Sequence, residues 1–492
     1  SVLHSFGTGN VHDGKYPNGG MVMDASGNLY GTTAIGGTEH FGTVFKITPS
    51  GVESVLHSFG TVHGTVFPHG GMVMDASGNL YGTTVFGGTA NKGTVFKITG
   101  SGVESVLHSF GTGNVHDGKY PNGGMVMDAR GNLYGTTVFG GTNNLGTVFK
   151  ITPSGVESVL HSFGTVHGTV FPHGGMVMDA SGNLYGTTVF GGTNNLGTVF
   201  KITPSGVEST FYSFGGNDGN DGNDGDQPNG GLVMAASGNL YGTTVFGGTN
   251  NLGTVFTITP SGAESTFYSF GGNDGNDGND GDQPNGGLVM AASGNLYGTT
   301  IGGGTDNLGT VFKITPSGVE SVLYSFGGGY DGSSSPNGGL VMDVSGNLYG
   351  TADGGGKLGI IGYLTVYLSR ILGTPSSLSG GLGTVFKITP SGVESVLHSF
   401  GTGNVWQDPN GGMVMAASGN LYGTTIGGGT DNLGTVFKIT PSGVESEGRS
   451  VGAGSVWQDP NSGMVMAASG NLYGTTSLGG TDHSGTVFRI TP

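Results

Sequence analysis

One sentence is written nine times along this chain: a PNGGMVMDASG segment, NLYGTT, a GGT-containing loop, GTVFKITPSG and VESVLHSFG. The tyrosines of NLYG (Tyr30, Tyr81, Tyr134, Tyr185, Tyr241, Tyr297, Tyr349, Tyr422 and Tyr473) mark intervals of 51, 53, 51, 56, 56, 52, 73 and 51 residues. That period is too long for one solenoid coil and close to the length of a four-stranded propeller blade. Length alone would divide 492 residues into several domains, but a regular repeat overrides that prior. The expectation is all-β: residues 1–492 as a single closed propeller of nine four-stranded blades, with residues 353–382 inserted in the seventh.

Within the first unit, Gly20 to Asp24 is apolar on both sides, as expected of an inner strand covered by neighbouring sheets. Ala25-Ser26-Gly27 supplies a hairpin turn, and Asn28 to Thr33 returns as the second strand. Gly42 to Thr48 alternates β-branched and aromatic residues, Pro49-Ser50-Gly51 turns, and Val52 to Phe59 forms the outer strand, with Glu53 and His57 at positions that can face solvent. Ser1 to Phe6 is then an outer strand with no preceding partner, and Gly485 to Thr491 a third strand with no following one. Pairing the two closes the ring and removes a sheet edge. The degraded outer strand at Ser446 to Ser450 leaves eight blades plus an irregular unit as the alternative count.

The tight turns ASGN and TPSG share one face, whereas all variation in length falls on the other. Loops on a rigid scaffold are the usual carriers of binding, so the variable face is the candidate functional one.

The GNLYGTT, GTVFKIT and GVESVLHSF segments resemble the tandem repeats of bacterial extracellular proteins of the choice-of-anchor GloVer or HAF type, and the strand order is similar to NHL-type blades. The resemblance spans the chain except residues 353–382 and 446–456. It implies an extracellular or cell-surface repeat protein and carries over no catalytic residue.

Composition narrows the function classes. The 108 glycines and 18 prolines make up about a quarter of the chain, but at fixed offsets between apolar runs they read as turn punctuation. No cysteine is present, which excludes thiol chemistry, disulfides and cysteine metal sites and suits an oxidising exterior. A net charge of -17 repels phosphate backbones, so nucleic acid is not an expected partner. No apolar run is long enough for a transmembrane helix; Leu358 to Leu372 is interrupted by Arg370 and reads as a short helix or hairpin packed on the ring, or as a docking surface. The chain starts at Ser1 without a leader, so any targeting peptide is expected to have been removed or to lie outside this sequence.

Three residue sets are candidate sites. Asp218, Asp221, Asp224 and Asp226, with their duplicates Asp274, Asp277, Asp280 and Asp282, could offer calcium oxygen ligands, although their period of three differs from an EF-hand loop. Calcium is the one cofactor to consider. Aromatics near the proline of the same link, Tyr16, Phe67, Tyr120, Phe171, Trp406 and Trp457, could stack on sugar rings or partner side chains, or plug the gap between blades. His4, His57, His108, His161 and His398 share one outer-strand position, taken elsewhere by Tyr212, Tyr268 and Tyr324. Interchange with tyrosine suits an amphipathic surface residue better than a metal ligand. Asp24, Asp75, Asp128, Asp179 and Asp343 end the inner strands but are replaced by alanine in four copies, which favours turn capping over a central ion site.

An enzyme needs differently tuned groups converging at one place, whereas near-identical copies multiply a surface. The expected function is a non-catalytic extracellular structural, adhesive or protein-interaction module acting through the variable face, with protein or a cell-surface glycan as partner and self-association open. A glycan- or calcium-binding lectin-like propeller is the alternative, and a propeller hydrolase or lyase a less favoured one.

Overall fold

The computed structural model describes residues 2–7, 13–60, 65–112, 117–121, 124–163, 170–192, 194–205, 207–215, 224–228, 230–271, 280–284, 286–327, 333–336, 339–355, 383–400, 409, 412–425, 435–443, 445–450, 458–460, 464–480, 482 and 484–491. The fold is all-β, a nine-bladed propeller whose blades are nine antiparallel sheets. The first blade orders Gly14–Met23, Leu29–Gly36, Thr43–Ile47 and Glu53–Ser58 as sequential neighbours. Every other blade repeats that order.

The opening strand is longer than the sequence pattern indicates. It begins at Gly14 rather than Gly20 and takes in Tyr16 and Pro17, with its register shifting between Asn18 and Val22. In the third blade the same irregularity splits it into Gly118–Pro121 and Val126–Met127, both paired with Leu133–Gly140. A bulge at PNGG is what a proline and two glycines impose on a strand.

Val2–Ser5 pairs antiparallel with Thr486–Ile490, Val2 opposite Phe488 and Ser5 opposite Thr486, as the terminal strands require for closure. The degraded segment still forms its strand: Glu445–Ser450 pairs with Thr435–Ile439. Asp353, Gly354 and Gly355 belong to the strand Leu348–Gly355; the rest of the expected insertion, 356–382, lies outside the described residues.

Two compact units make up the chain, Ser1–Asp221 with Gly454–Pro492, and Gly222–Ala453. In each, the core lies between successive sheets. One cluster of the first unit joins Tyr473 and Val487 of the last blade to Phe6, Leu29, Phe45 and Ile47. In the second, Val255 and Phe270 pack with Leu296, Phe312 and Ile314 of the next blade. A phenylalanine just after the fourth strand meets the third-strand phenylalanine of the following blade, with ring centres 5.1 Å apart in Phe6–Phe45, Phe110–Phe149 and Phe270–Phe312; the degraded strand Glu445–Ser450 lacks it. Fully burying such a side chain contributes about 1.5–3 kcal/mol.

Asp24 organises the first tight turn. Its Oδ1 accepts from the Ser26 and Asn28 amides at 2.8 and 2.9 Å, and its Oδ2 from Asn28 Nδ2 and the Tyr30 hydroxyl at 2.7 and 2.9 Å. Burial works against the charge, but these hydrogen bonds outweigh it and hold the carboxyl below its usual range; burial and the carboxylate push Tyr30 up to about 12. Asp75, Asp128, Asp179 and Asp343 repeat the arrangement, so the aspartates cap turns. Where alanine stands instead, the tyrosine loses that acceptor: the Tyr422 hydroxyl beyond Ala416 is buried without a hydrogen-bond partner. Ala416→Asp should therefore stabilise the protein by about 1 kcal/mol, read as a higher urea midpoint at unchanged slope, whereas Asp128→Ala should lose about as much.

Candidate functional site

The aromatics expected on the variable link fall inside the bulged strand. Tyr16 and Tyr120 both have φ of 57°, the left-handed region, although a residue before proline ordinarily favours extended backbone. A hydrogen bond across the blade junction holds each one there: Tyr16 N–H donates to Ser484 O, and Tyr120 N–H to Lys92 O, both at 2.8 Å. Gln283, before Pro284, has φ of 54° and donates to Leu252 O at 2.8 Å, so the device does not depend on the side chain. Phe67 and Phe171 occupy the same register in Thr65–Met74 and Val170–Met178. Trp406 and Trp457 lie outside the described residues.

Tyr120 packs between two blades, edge-on to Phe86 at 5.6 Å and to Phe139 at 6.1 Å. Lys92 Nζ donates to its hydroxyl at 2.6 Å and sits 4.9 Å from the ring centre. Phe86 and Phe139 are 41% and 38% exposed, and Ile35 and Phe190 at the same strand position are exposed as well. A solvent-facing apolar row thus crosses the first unit at the end of the second strands. This row is not legible in the sequence, because VF before GG reads as ordinary strand alternation.

The duplicated aspartate loops are described only at their ends. Asp218, Asp221, Asp274 and Asp277 lie outside the described residues. Asp280 is buried and accepts hydrogen bonds from the Gly271 amide and, at 2.5 Å, from the Tyr268 hydroxyl of the preceding blade. Asp224 is likewise buried, and its carbonyl accepts from Thr254. Asp226 and Asp282 each keep one buried carboxylate oxygen without a hydrogen-bond partner, and burial raises both carboxyls. Asp282 also lines an open groove of about 620 Å³ in the second unit, together with Asn250, Asp306 and Asn307.

The fourth-strand histidines are not the solvent-facing residues the alternation suggests. The His4 side chain is 17% exposed and its Nε2 lies 3.4 Å from Asp13, which is at the start of the first blade. His57 stands 3.3 Å from Glu104 on the fourth strand of the next blade, and His108 stands 3.3 Å from Asp117. Tyr324 is placed like these histidines; burial first, then the charge and hydrogen bond of Glu394, raise its hydroxyl. The position is a junction site whose partner is whichever carboxylate the next blade supplies. The glutamates are correspondingly covered, and burial raises Glu53, Glu157 and Glu394.

Burial alone pushes His161 and His398 down to about 4. A histidine depressed in the folded state gives stability that is full above its unfolded value of about 6.5 and lost as pH falls toward the folded one. The raised glutamates act oppositely, favouring the fold once protonated. Urea midpoints should therefore fall between pH 7 and pH 4.5 in the native chain and fall less in His161→Gln/His398→Gln.

Two solved structures show low similarity to this chain. A streptogramin B lyase is 12% identical, with a TM-score of 0.37, over 70% of this chain and 93% of the other. A gluconolactonase from Xanthomonas campestris is 13% identical, with a TM-score of 0.29, over 62% of this chain and 86% of the other. Likeness at this level does not extend to what either enzyme acts on. None of the curated proteins matches the chain. The Gloeobacter/Verrucomicrobia repeat, by contrast, matches residues 61–223, 123–367 and 369–492, so the chain belongs to that repeat family.

Proposed function

We propose that this chain is a non-catalytic extracellular interaction module that uses its variable face to hold a protein or cell-surface glycan partner. The observation that carries the reading is the exposed row around Phe86, Tyr120 and Phe139, in which apolar rings recur from blade to blade on a scaffold fixed by junction hydrogen bonds. Aromatic faces with polar neighbours are what sugar rings and partner side chains stack on, and exposed anchors of this kind contribute to contact more than to the core. Repetition favours weak contacts multiplied along a surface.

The test is a glycan array, run beside a hydrolase and lyase screen on the same preparation. Phe86→Ser/Phe139→Ser should lower array binding at least about 10-fold with an unchanged melting temperature, since each loses only partly exposed apolar area. Turnover abolished by one substitution in one blade would replace this reading with an enzyme. The groove at Asp282 and Asp306 favours a second reading, a glycan- or calcium-binding surface; calorimetry with millimolar calcium, on the native chain and Asp282→Asn, separates the two ligands.

A further inference from the structure

Two blade junctions of the first unit assemble a donor set that sheet packing does not require. At one, His4 on the closing strand, Asp13 at the start of the first blade and Glu53 on its fourth strand bring one nitrogen and two carboxylate oxygens within 4.8 Å of one another. At the other, His108, Asp117 and Glu157 do the same. In both, the histidine comes from one blade and the two acids from the next.

Three features of these clusters suit a bound ion, and the aspartate beside the histidine sets them apart from the bare His57–Glu104 pair. The imidazole nitrogens stand 3.4 and 3.3 Å from the aspartate oxygens. Those distances are long for a charge-assisted N–H···O bond, and they match the edge of about 3.4 Å in a tetrahedron whose metal–ligand bonds are about 2.0–2.1 Å. Each aspartate is also pre-oriented from behind: Asp13 Oδ2 accepts from the Gly7 amide at 2.8 Å, and Asp117 Oδ2 from the Gly111 amide at 2.6 Å. Metal ligands are characteristically fixed by such outer hydrogen bonds. Finally, Glu53 Oε1 and Glu157 Oε1 are buried with no hydrogen-bond partner, an arrangement that is costly unless something positive satisfies it.

We propose that each of these two junctions binds one divalent transition-metal ion of the zinc class, stapling adjacent blades. An imidazole with two carboxylates suits zinc better than calcium or magnesium, which take oxygen ligands, and three protein ligands leave the fourth position to water. Two other described junctions lack the set. Beside His57, the position four before the proline is Gly64 instead of aspartate, and Glu104 faces the histidine directly. Where tyrosine replaces histidine, Asp280 takes the Tyr268 hydroxyl and the network closes without an ion.

The full chain, stripped with chelator, is titrated with zinc chloride by calorimetry, and retained metal is counted after gel filtration. Two equivalents are expected for the native chain, one for His4→Gln and none for His4→Gln/His108→Gln, whereas His57→Gln keeps two. Glu53→Gln/Glu157→Gln removes buried charge and so is expected to fold; its zinc affinity should fall by more than about 100-fold, and zinc should no longer raise its melting temperature. Cobalt(II) bound to the native chain should show the visible absorption of a four-coordinate site. Absence of saturable zinc binding by the native chain overturns the proposal, as does retention of two equivalents by both double variants.

Discussion

Removing residues 1–6 should lower the stability of this protein by on the order of 5 kcal/mol, the sum of a lost phenylalanine and a lost strand. Phe6 is fully buried, sits 5.1 Å from Phe45, and shares its cluster with Val487 and Tyr473. Its amide also donates to Gly485 O at 3.0 Å. Truncating a buried phenylalanine alone costs about 3–5 kcal/mol, and the ladder from Val2 to Ser5 adds to that. Deletion also uncovers Thr486–Ile490 as a free edge, which invites pairing between copies. Chemical denaturation and light scattering read the two consequences separately. A synthetic peptide SVLHSF should restore the midpoint in trans and SVLHSA should not; an unchanged midpoint on deletion would mean that the terminal strand is dispensable for closure.

The blade architecture was legible because its signals are local. TVFKIT alternates, glycines stand where turns need positive φ, and Ser1 to Phe6 repeats an outer strand whose partner is missing, so phase and closure follow from pattern alone. The junctions were not legible, because alternation separates two faces of a strand without telling whether solvent or another blade covers the outward one. Glu53 and His57 alternate as surface residues do, yet His4 of the preceding blade meets the first and Glu104 of the next blade the second. Tyr16 before Pro17 is a second case. Local preference is extended, and the left-handed conformation is set by a carbonyl of Ser484 that is remote in sequence. Counting back from the proline would have found one signal. Asp13, Asp117, Asp224 and Asp280 all stand four residues before it, which marks the last two as structural members of a junction rather than as part of a solvated triplet repeat.

Gly135→Ala should destabilise the chain by roughly 2 kcal/mol, and Phe149→Leu should remove much of that penalty. A Cβ on Gly135 would lie 2.4 Å from Phe149 Cζ and 3.0 Å from Cε1. The ring cannot retreat, because it is fully buried and packed at 5.1 Å against Phe110 of the preceding blade. The opposing strands place Gly135 directly across from Phe149, so the glycine of NLYG is the seat for the phenylalanine of TVF. Every blade described with both residues repeats this fit, including Gly31 with Phe45 and Gly423 with Phe437. Phe149→Leu alone leaves a void and should cost about 1 kcal/mol, and Phe149→Ala about 3–5 kcal/mol. In the double variant Gly135→Ala/Phe149→Leu the added methyl occupies the space the ring tip vacated, so its loss should be smaller than the sum of the single losses by 1 kcal/mol or so. Additive losses in a double-mutant cycle would show that the two residues do not share the space, and that glycine at this position serves backbone freedom instead of the packing that locks one blade to the next.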